Sequence, residues 1–238
     1  MSGLKAVIFD LDDTIYPEFN YVKSGFKAVA AWVEKHMGVA EDEVFRELLD
    51  LFAEGKRGNI FDIWVDSRGG SVEYWVPEMV KVYRNHDPKI RPFEDFLKII
   101  PKLRSKYKLG VLTDGYSSVQ RRKLEALGIE HYFDVVVFSD DLGKDNWKPS
   151  VVPFKVILRE LDVSGCESVY VADNPLKDFL GARKVNMWTV RFKSAVGLYS
   201  QIKPPSSEYD PHTEICSLSE LPKALSQIES FLSLIRRR

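Results

Sequence analysis

Acidic side chains follow several short apolar segments of this chain, at the points where strands are expected to end. Six of them are candidates for one cluster: Asp10, Asp12, Asp13, Asp114, Asp173 and Asp178. Ligands of a parallel sheet bind beyond the carboxyl ends of its strands, so these carboxylates are expected around one cleft. Asp10 and Asp12 stand two residues apart at a strand end, so both can point into that cleft. One carboxylate could then attack a substrate while the other moves protons.

Six converging carboxylates repel one another unless cations neutralise them. Lys148 is the one lysine expected beside them, and a single positive charge cannot neutralise six carboxylates. A bound divalent cation usually supplies the missing positive charge in such a cluster. An oxygen-only ligand set without clustered His or Cys favours Mg²⁺. Lys148, Mg²⁺ and backbone N–H groups in the loops after Asp10 and Thr113 would together hold an anion. An anion, a carboxylate nucleophile and Mg²⁺ describe phosphoryl transfer, in which positioning and charge neutralisation dominate.

Strands and helices alternate through most of the chain and must position these residues. Apolar, β-branched and aromatic runs predict strands at 4–9, 108–113, 134–138, 168–172, 187–191 and 213–216. Helical periodicity predicts helices at 93–103, 119–127, 152–161, 176–182 and 221–232. The first of these is expected to kink or break at Pro101. Strands that alternate with helices indicate βαβ units and a parallel sheet.

Between the first two strands, residues 18–88 show helical patterns only. Apolar residues recur on one helical face at Val22, Phe26, Val29 and Val33, and further helices are predicted near 44–52, 60–65 and 72–82. We therefore predict the α/β fold class: a Rossmann-like parallel sheet core with an inserted all-helical cap domain. The core would comprise residues 1–17 and 89–238, and the cap residues 18–88. Movement of such a cap admits a substrate and then excludes water.

Composition and charge argue against several other classes of protein. The 34 basic and 35 acidic residues give no overall field that favours nucleic acid or membrane. The longest apolar run, residues 28–33, is far below the ~20 residues of a bilayer span, and no signal peptide is expected before the first strand. Cys166 and Cys216 lack the spacing of a metal site or a disulfide framework. We expect a cytoplasmic monomer or homodimer that acts on a small molecule, without a nucleic-acid or membrane partner.

Four segments resemble, in order, the motifs of the haloacid dehalogenase superfamily. They are Phe9-Asp10-Leu11-Asp12-Asp13-Thr14, Leu112-Thr113-Asp114-Gly115, Lys148-Pro149 and Asp173-Asn174-Pro175-Leu176-Lys177-Asp178. The intervening Gln120, Lys123-Leu124, Tyr132-Phe133-Asp134 and Ser139-Asp140 match the capped phosphatase branch as well. The helical insertion stands where type I caps are found. One such motif alone is weak, whereas four in order are specific.

The resemblance implies a Mg²⁺-dependent phosphatase that hydrolyses small phosphate monoesters, such as a phosphorylated metabolite, through an aspartyl-phosphate. Asp10 would attack phosphorus, and Asp12 would protonate the leaving oxygen and later activate water. Thr113 would hold the phosphoryl group, with Asp114 beside it in the phosphate-binding segment. Lys148 would neutralise the bound phosphoryl charge.

The same resemblance implies a set of metal ligands. Asp10, Asp12 through its carbonyl, and Asp173 would ligate Mg²⁺. Asp178 would support the metal through water or through Lys148. The chain departs from the family pattern in two places, since alanine replaces the usual glycine before Asp173 and residues 145–147 lengthen the loop before Lys148.

Simpler interpretations exist for each residue taken alone. Strand-end aspartates and Thr113 can cap helices, Lys-Pro is a common helix start, and Asp178 could be an acid favoured by a helix dipole. In the cap, Trp64, Tyr74 and Trp75 are more typical of a core than of a substrate contact. Arg57 is more typical of a solvated loop than of a ligand for an anionic substrate.

Three other functions share this arrangement of motifs. A phosphotransferase or mutase would use every core residue but pass the phosphoryl group to a sugar instead of water. A 2-haloacid dehalogenase uses the same nucleophile without a metal and usually lacks an acid at the position of Asp12. A non-catalytic binding protein could keep the fold alone. The sequence does not specify the substrate, because specificity is expected in the cap loops 17–20 and 56–68.

Overall fold

The structure is a computed structural model that describes residues 3–235. Its contacts divide the chain into two compact units. One unit comprises Met1–Glu18 with Arg91–Arg238, and the other comprises Phe19–Ile90.

The first unit contains a six-stranded parallel sheet. Its strands are β1 (Ala6–Phe9), β2 (Lys108–Thr113), β3 (Val135–Phe138), β4 (Ser168–Ala172), β5 (Trp188–Phe192) and β6 (Thr213–Ile215). Their order across the sheet is β3-β2-β1-β4-β5-β6, and every neighbouring pair runs parallel. The predicted α/β class is confirmed, and each predicted strand is present with ends that differ by up to two residues.

The described residues form helices in the segments where helical periodicity was found. They are α1 (Glu18–Met37), α2 (Glu41–Ala53), α3 (Ile60–Ser67), α4 (Val72–Asn85), α5 (Glu94–Arg104), α6 (Ser117–Leu127), α7 (Val152–Glu160), α8 (Asp178–Lys184) and α9 (Leu221–Ile235). Between residues 3 and 235, no helix is both long and apolar enough to cross a bilayer. Cys166 and Cys216 are exposed and form no disulfide.

The expected break at Pro101 is wrong, because α5 runs through it to Arg104. A proline removes one backbone hydrogen bond and crowds the carbonyl four residues earlier. That residue, Leu97, is 44% exposed, so the disturbance falls on the side of the helix that faces solvent. The helix also needs to continue for just one more turn, in which Leu103 is buried. A second correction concerns α8, which begins at Asp178, two residues later than predicted.

Apolar packing on both faces of the sheet fixes the strands that carry the acidic residues. On one face, Ile8 and Tyr170 belong to a buried cluster with Phe154 of α7. On the other face, the ring of Phe9 packs edge-on against Phe96 of α5, with 5.6 Å between centroids. Strands buried on both faces are typical of parallel α/β sheets.

The second unit consists of helical residues packed around aromatic side chains. Trp64 is 2% exposed and donates from Nε1 to Glu47 at 2.8 Å, which confirms its interpretation as core. Tyr74 is 68% exposed, so the same interpretation is wrong for that residue. It occupies the first turn of α4, where its ring packs edge-on against Trp75 instead of entering the core. The Arg57 guanidinium lies 3.5 Å from the centre of the Phe52 ring and donates to the Phe52 carbonyl.

Candidate active site

Three neighbouring strands end side by side in the middle of the sheet. In the β1 register, Phe9 lies beside Val111 of β2 and Val171 of β4. Asp10 directly follows β1, and its N–H donates to the Val171 carbonyl at 2.9 Å. Thr113 is the last residue of β2, and Asp173 directly follows β4. The carboxyl ends of these strands therefore bring the predicted residues to one edge of the sheet.

Lys148 is the centre of a buried group of polar side chains. Its Nζ lies 2.9 Å from Asp10 Oδ1 and 2.8 Å from Asp178 Oδ1. It also donates to the hydroxyl of Tyr170 at 2.8 Å. The Lys148 side chain is 0% exposed, so these ion pairs are removed from solvent. The two carboxylates and the ammonium hold one another in place, because a buried charge without a partner is strongly destabilising.

Three of the carboxylates could hold a metal ion. Oxygens of Asp10, Asp173 and Asp178 all lie within 4.8 Å of one another, and all three residues are buried. Oδ2 of Asp173 is buried and has no hydrogen-bond partner in the described part of the chain. Burial, together with the neighbouring charges of Asp178 and Asp10, raises the pKa of Asp173 well above its ordinary value. An acidic oxygen in this position calls for a cation.

The Asp10 carboxylate experiences opposing influences. Burial raises the pKa of Asp10 to about 6, while the Lys148 ammonium acts in the opposite direction. The charge of Asp178 raises this pKa further. The anionic form of Asp10 therefore depends on nearby cations, since desolvation alone would favour the neutral acid.

The Asp12 carboxylate points to a different set of partners from that of Asp10. Lys123 Nζ lies 2.7 Å from Oδ1 and 2.9 Å from Oδ2. Gln120 donates to Oδ2 at 2.9 Å, and the Tyr16 hydroxyl donates to Oδ1. Burial opposes ionisation here, but Lys123 and these hydrogen bonds hold the pKa of Asp12 below its ordinary value. The side chain keeps 21% of its surface exposed, so it remains accessible.

Residues at the end of β2 and just after it connect the side chains around Asp12 with the segment that carries Lys148. Gln120 Nε2 donates to the Thr113 hydroxyl at 2.6 Å as well as to Asp12. The Asp114 carboxylate accepts the backbone N–H of Lys148 at 3.2 Å and pairs with Lys177 Nζ at 3.1 Å. The side chain of Asp114 thus holds cationic segments in place. Any contact between Asp114 and an anion would therefore be made by its backbone.

Asp13 has a structural position next to the site. Its backbone has a positive φ of 52°, and its carboxylate accepts the N–H groups of Glu18 and Leu198, each at 2.8 Å. These bonds connect the loop after β1 to the loop after β5. The Asp13 side chain is consequently satisfied by backbone donors.

Simple helix capping does not explain most of these residues. The residue before α6 is Tyr116 and makes no side-chain cap, so Thr113 does not cap that helix. Asp178 does act at a helix start, where Oδ2 accepts the N–H of Asn174 at 2.9 Å. Its other oxygen pairs with Lys148, so the two interpretations of Asp178 are compatible.

Sequence reasoning missed several members of the site. It expected one lysine among six carboxylates, whereas Lys123 and Lys177 also pair with Asp12 and Asp114. Gln120 and Lys123 lie on the same face of α6 as Leu124 and Leu127, and all four are buried. Polar residues on the buried face of an amphipathic helix are a readable signal, because they require partners there.

The fold and this cluster define an α/β enzyme whose helical segment is inserted after the first strand and whose carboxylates meet at the sheet edge. Residues 7–192 match the family described as haloacid dehalogenase-like hydrolase. The chain belongs to this family, as the four motifs predict.

Relatives of similar length support the same assignment. A glyceraldehyde 3-phosphate phosphatase of Methanopyrus kandleri is 33% identical over 92% of this chain and 95% of its own length. An enzyme of the same name from Methanocaldococcus jannaschii is 31% identical, again over 92% and 95%. Among solved structures, a HAD phosphatase from Thermococcus onnurineus is 28% identical with a TM-score of 0.62, covering 93% of this chain and 98% of that chain.

Proposed function

We propose that this protein hydrolyses small phosphate monoesters, with Asp10 as the nucleophile, Asp12 as the acid and base, and Mg²⁺ as the cofactor. The two relatives are named as phosphatases, and this chain aligns with each of them over nearly its whole length. The chain is likewise a phosphoric monoester hydrolase. One observation supports the proposal most strongly. Asp10 and Asp173 follow the adjacent strands β1 and β4, an oxygen of Asp173 has no partner there, and the buried Lys148 from the loop before α7 pairs with Asp10.

Asp10 would attack phosphorus, and the bond from phosphorus to the leaving oxygen would break. The Lys148 ammonium at 2.9 Å fixes one oxygen of Asp10, which leaves the other to act as the nucleophile. Thr113, positioned by Gln120, would hold a phosphoryl oxygen at the end of β2. Asp114 would contribute through its backbone and by holding the Lys148 segment. The product of this step is an acyl phosphate on Asp10.

Asp12 would move protons in both halves of the reaction. Asp12 would have to carry a proton when the ester binds, and the charge of the phosphoryl group beside it would favour that form over the anion that Lys123 stabilises in its absence. Asp12 would give this proton to the leaving oxygen, and its carboxylate would then take one from the water that attacks the acyl phosphate, which restores the protonated form. Its carboxylate follows Asp10 by two residues and keeps part of its surface exposed. Lys123, Gln120 and Tyr16 would fix its orientation for both steps.

The residues present fit a magnesium ion. Their donors are oxygen atoms, one of which is a buried carboxylate oxygen without a partner. Oxygens of Asp10, Asp173 and Asp178 all lie within 4.8 Å of one another, so they are grouped closely enough to face one ion. Asp10, Asp173 and the Asp12 carbonyl would hold the ion, and Asp178 would support it through Lys148. When bound, Mg²⁺ would neutralise charge on the phosphoryl oxygens.

For the substrate we favour a three-carbon phosphate such as glyceraldehyde 3-phosphate. Both relatives described above carry that substrate in their names and align over more than nine-tenths of this chain. A set of phosphate esters tests this choice. Phosphate release should be fastest, in kcat/KM, from glyceraldehyde 3-phosphate when it is compared with phosphoserine, phosphoglycolate and glucose 6-phosphate.

The same assay tests the reaction class and the metal. We expect phosphate release to stop in EDTA and to return with added Mg²⁺. Addition of a sugar acceptor should not divert the phosphoryl group from water. Absence of hydrolysis for every ester, or full activity in EDTA, would contradict the proposed function.

Replacement of Asp173 should weaken metal binding. Asp173→Asn keeps the shape of the side chain but removes its charge, so we expect the Mg²⁺ dissociation constant to rise by about ten- to a hundredfold. Titration calorimetry with Mg²⁺ measures this directly, without turnover. Asp162→Asn, on the exposed turn after α7, is a control that should bind Mg²⁺ as the wild type does. An unchanged dissociation constant for Asp173→Asn would remove Asp173 from the ligand set.

A further inference from the structure

Arg191 is a buried arginine that the proposed reaction does not use. It lies in β5 and is 2% exposed. In the β4–β5 register it is the partner of Ala172, the residue before Asp173. Its Nη1 pairs with Glu214 of β6 at 3.2 Å. A buried guanidinium is costly unless its N–H groups find acceptors, so its other partners indicate which segments it holds in place.

The remaining hydrogen bonds of Arg191 connect the end of β4 with the loop after β5. Nε donates to the backbone carbonyl of Asp173 at 3.2 Å. Nη2 donates to the carbonyls of Tyr199 and Ile202, each at 2.8 Å. Both carbonyls belong to residues 194–202, which we call the β5 loop. One side chain therefore ties the main chain of Asp173 to the β5 loop.

The β5 loop is attached to the loop after β1 as well. The Leu198 N–H donates to one oxygen of Asp13 at 2.8 Å, and the other oxygen of Asp13 accepts the N–H of Glu18. Asp13 follows Asp10 by three residues in the same loop. The β5 loop is thus connected to the segments that follow both β1 and β4. These attachments give Arg191 a fixed support from which to hold the Asp173 carbonyl.

The orientation of the Asp173 carboxylate depends on its main chain. Oδ2 of Asp173 is buried and has no hydrogen-bond partner among the described residues. Because no neighbouring group holds this oxygen, the position of the backbone largely decides where it points before a cation binds. Residues that orient a metal ligand without touching the metal typically change metal affinity about ten- to a hundredfold when they are replaced.

We infer that Arg191 is a positioning residue for the metal site, which fixes the main chain of Asp173 by binding its carbonyl and the β5 loop. The inference rests on the proposed function, in which Asp173 is a ligand of Mg²⁺. The charge of Arg191 has the opposite effect, because a guanidinium 3.2 Å from the Asp173 carbonyl repels a cation bound nearby. Loss of the positioning contacts should weaken Mg²⁺ binding, whereas loss of the charge alone should strengthen it.

Titration calorimetry with Mg²⁺ tests the inference without turnover. Arg191→Met should raise the Mg²⁺ dissociation constant by about ten- to a hundredfold relative to the wild type. Arg191→Lys keeps the charge but lacks the planar fork of donors, so its dissociation constant should stay at least about threefold above the wild-type value. Thermal unfolding shows whether each variant is folded, and Arg191→Lys carries the test if Arg191→Met is not.

Arg183→Met is the matched control. Arg183 also ties down a loop through two backbone carbonyls, those of Ser207 and Asp210, each at 2.8 Å from Nη1. Both carbonyls lie outside the site, so this variant should bind Mg²⁺ as the wild type does. The comparison separates the position of Asp173 from the general loss of an arginine that holds a loop.

A double variant shows whether Arg191 acts through Asp173. If it does, Arg191→Met with Asp173→Asn should bind Mg²⁺ no more than about twofold more weakly than Asp173→Asn alone. Losses that multiply in the double variant would overturn the inference. Unchanged or tighter binding in Arg191→Met, or wild-type affinity in Arg191→Lys, would overturn it too. Failure of the wild type to bind Mg²⁺ or to hydrolyse any ester would remove the proposed function instead, so the two failures can be distinguished.

Discussion

Asp10→Asn is expected to reduce kcat for phosphate monoesters by about 10⁴-fold or more while the protein stays folded. An amide cannot form the acyl phosphate, so the covalent route is closed. The buried Lys148 would keep its ion pair with Asp178 at 2.8 Å and its hydrogen bond to Tyr170. The ammonium is therefore not left without a partner, which is the usual cause of severe destabilisation in such sites. Steady-state kinetics and thermal unfolding measure the two effects separately.

Two further variants make this result decisive. An asparagine at position 10 can deamidate to aspartate and restore some activity, whereas an alanine cannot. Residual activity that is present in Asp10→Asn and absent in Asp10→Ala is therefore assigned to deamidated protein. Asp42→Asn, in the exposed first turn of α2, controls for a change of charge alone and should keep wild-type kcat. Turnover within tenfold of the wild type in both Asp10 variants would remove Asp10 as the nucleophile.

The second large effect is expected at Asp12 and depends on Lys123. Asp12→Asn should lower kcat by about 10²- to 10⁴-fold, the usual contribution of a positioned acid or base. Lys123→Met should lower kcat by about ten- to a hundredfold, because Lys123 contacts both Asp12 oxygens at 2.7 and 2.9 Å. If Lys123 acts through Asp12, the double variant should be no slower than Asp12→Asn alone.

The control for the Asp12 and Lys123 variants lies on the same helix as Lys123. Arg122→Met removes an adjacent exposed cation of α6 and should leave kcat unchanged. Lys123→Arg should restore part of the lost rate, since a guanidinium can also bind both carboxylate oxygens. Losses in kcat that multiply in the double variant would show that Lys123 acts independently of Asp12.

The positions of the main carboxylates could be predicted because strand ends are readable in this sequence. Residues 108–113 and 168–172 are apolar runs that coincide with β2 and β4, so Thr113 and Asp173 lie at the predicted edge. The order of the four motifs then predicted the family, which is confirmed by the match over residues 7–192. The domain limits and the roles of the individual site residues stay predictions.

Other features depend on contacts between distant segments and could not be read locally. The Lys123–Asp12 pair joins residues 111 positions apart, and the Lys177–Asp114 pair joins residues 63 positions apart. Lys123 and Lys177 both lie in segments that match the family, but nothing in one sequence indicated their carboxylate partners, so neither received a role. The helix does not break at Pro101 for a related reason, since α5 continues past the proline to the buried Leu103.

Chemical trapping of the acyl phosphate tests most directly whether Asp10 carries the phosphoryl group. The protein would be mixed with substrate and Mg²⁺, reduced with borohydride, digested and sequenced by mass spectrometry. Reduction of an aspartyl-phosphate gives homoserine, so the expected result is homoserine at position 10 in the wild type and none in Asp10→Asn. Unmodified Asp10 in a protein that is turning over, with homoserine at another aspartate, would contradict the account.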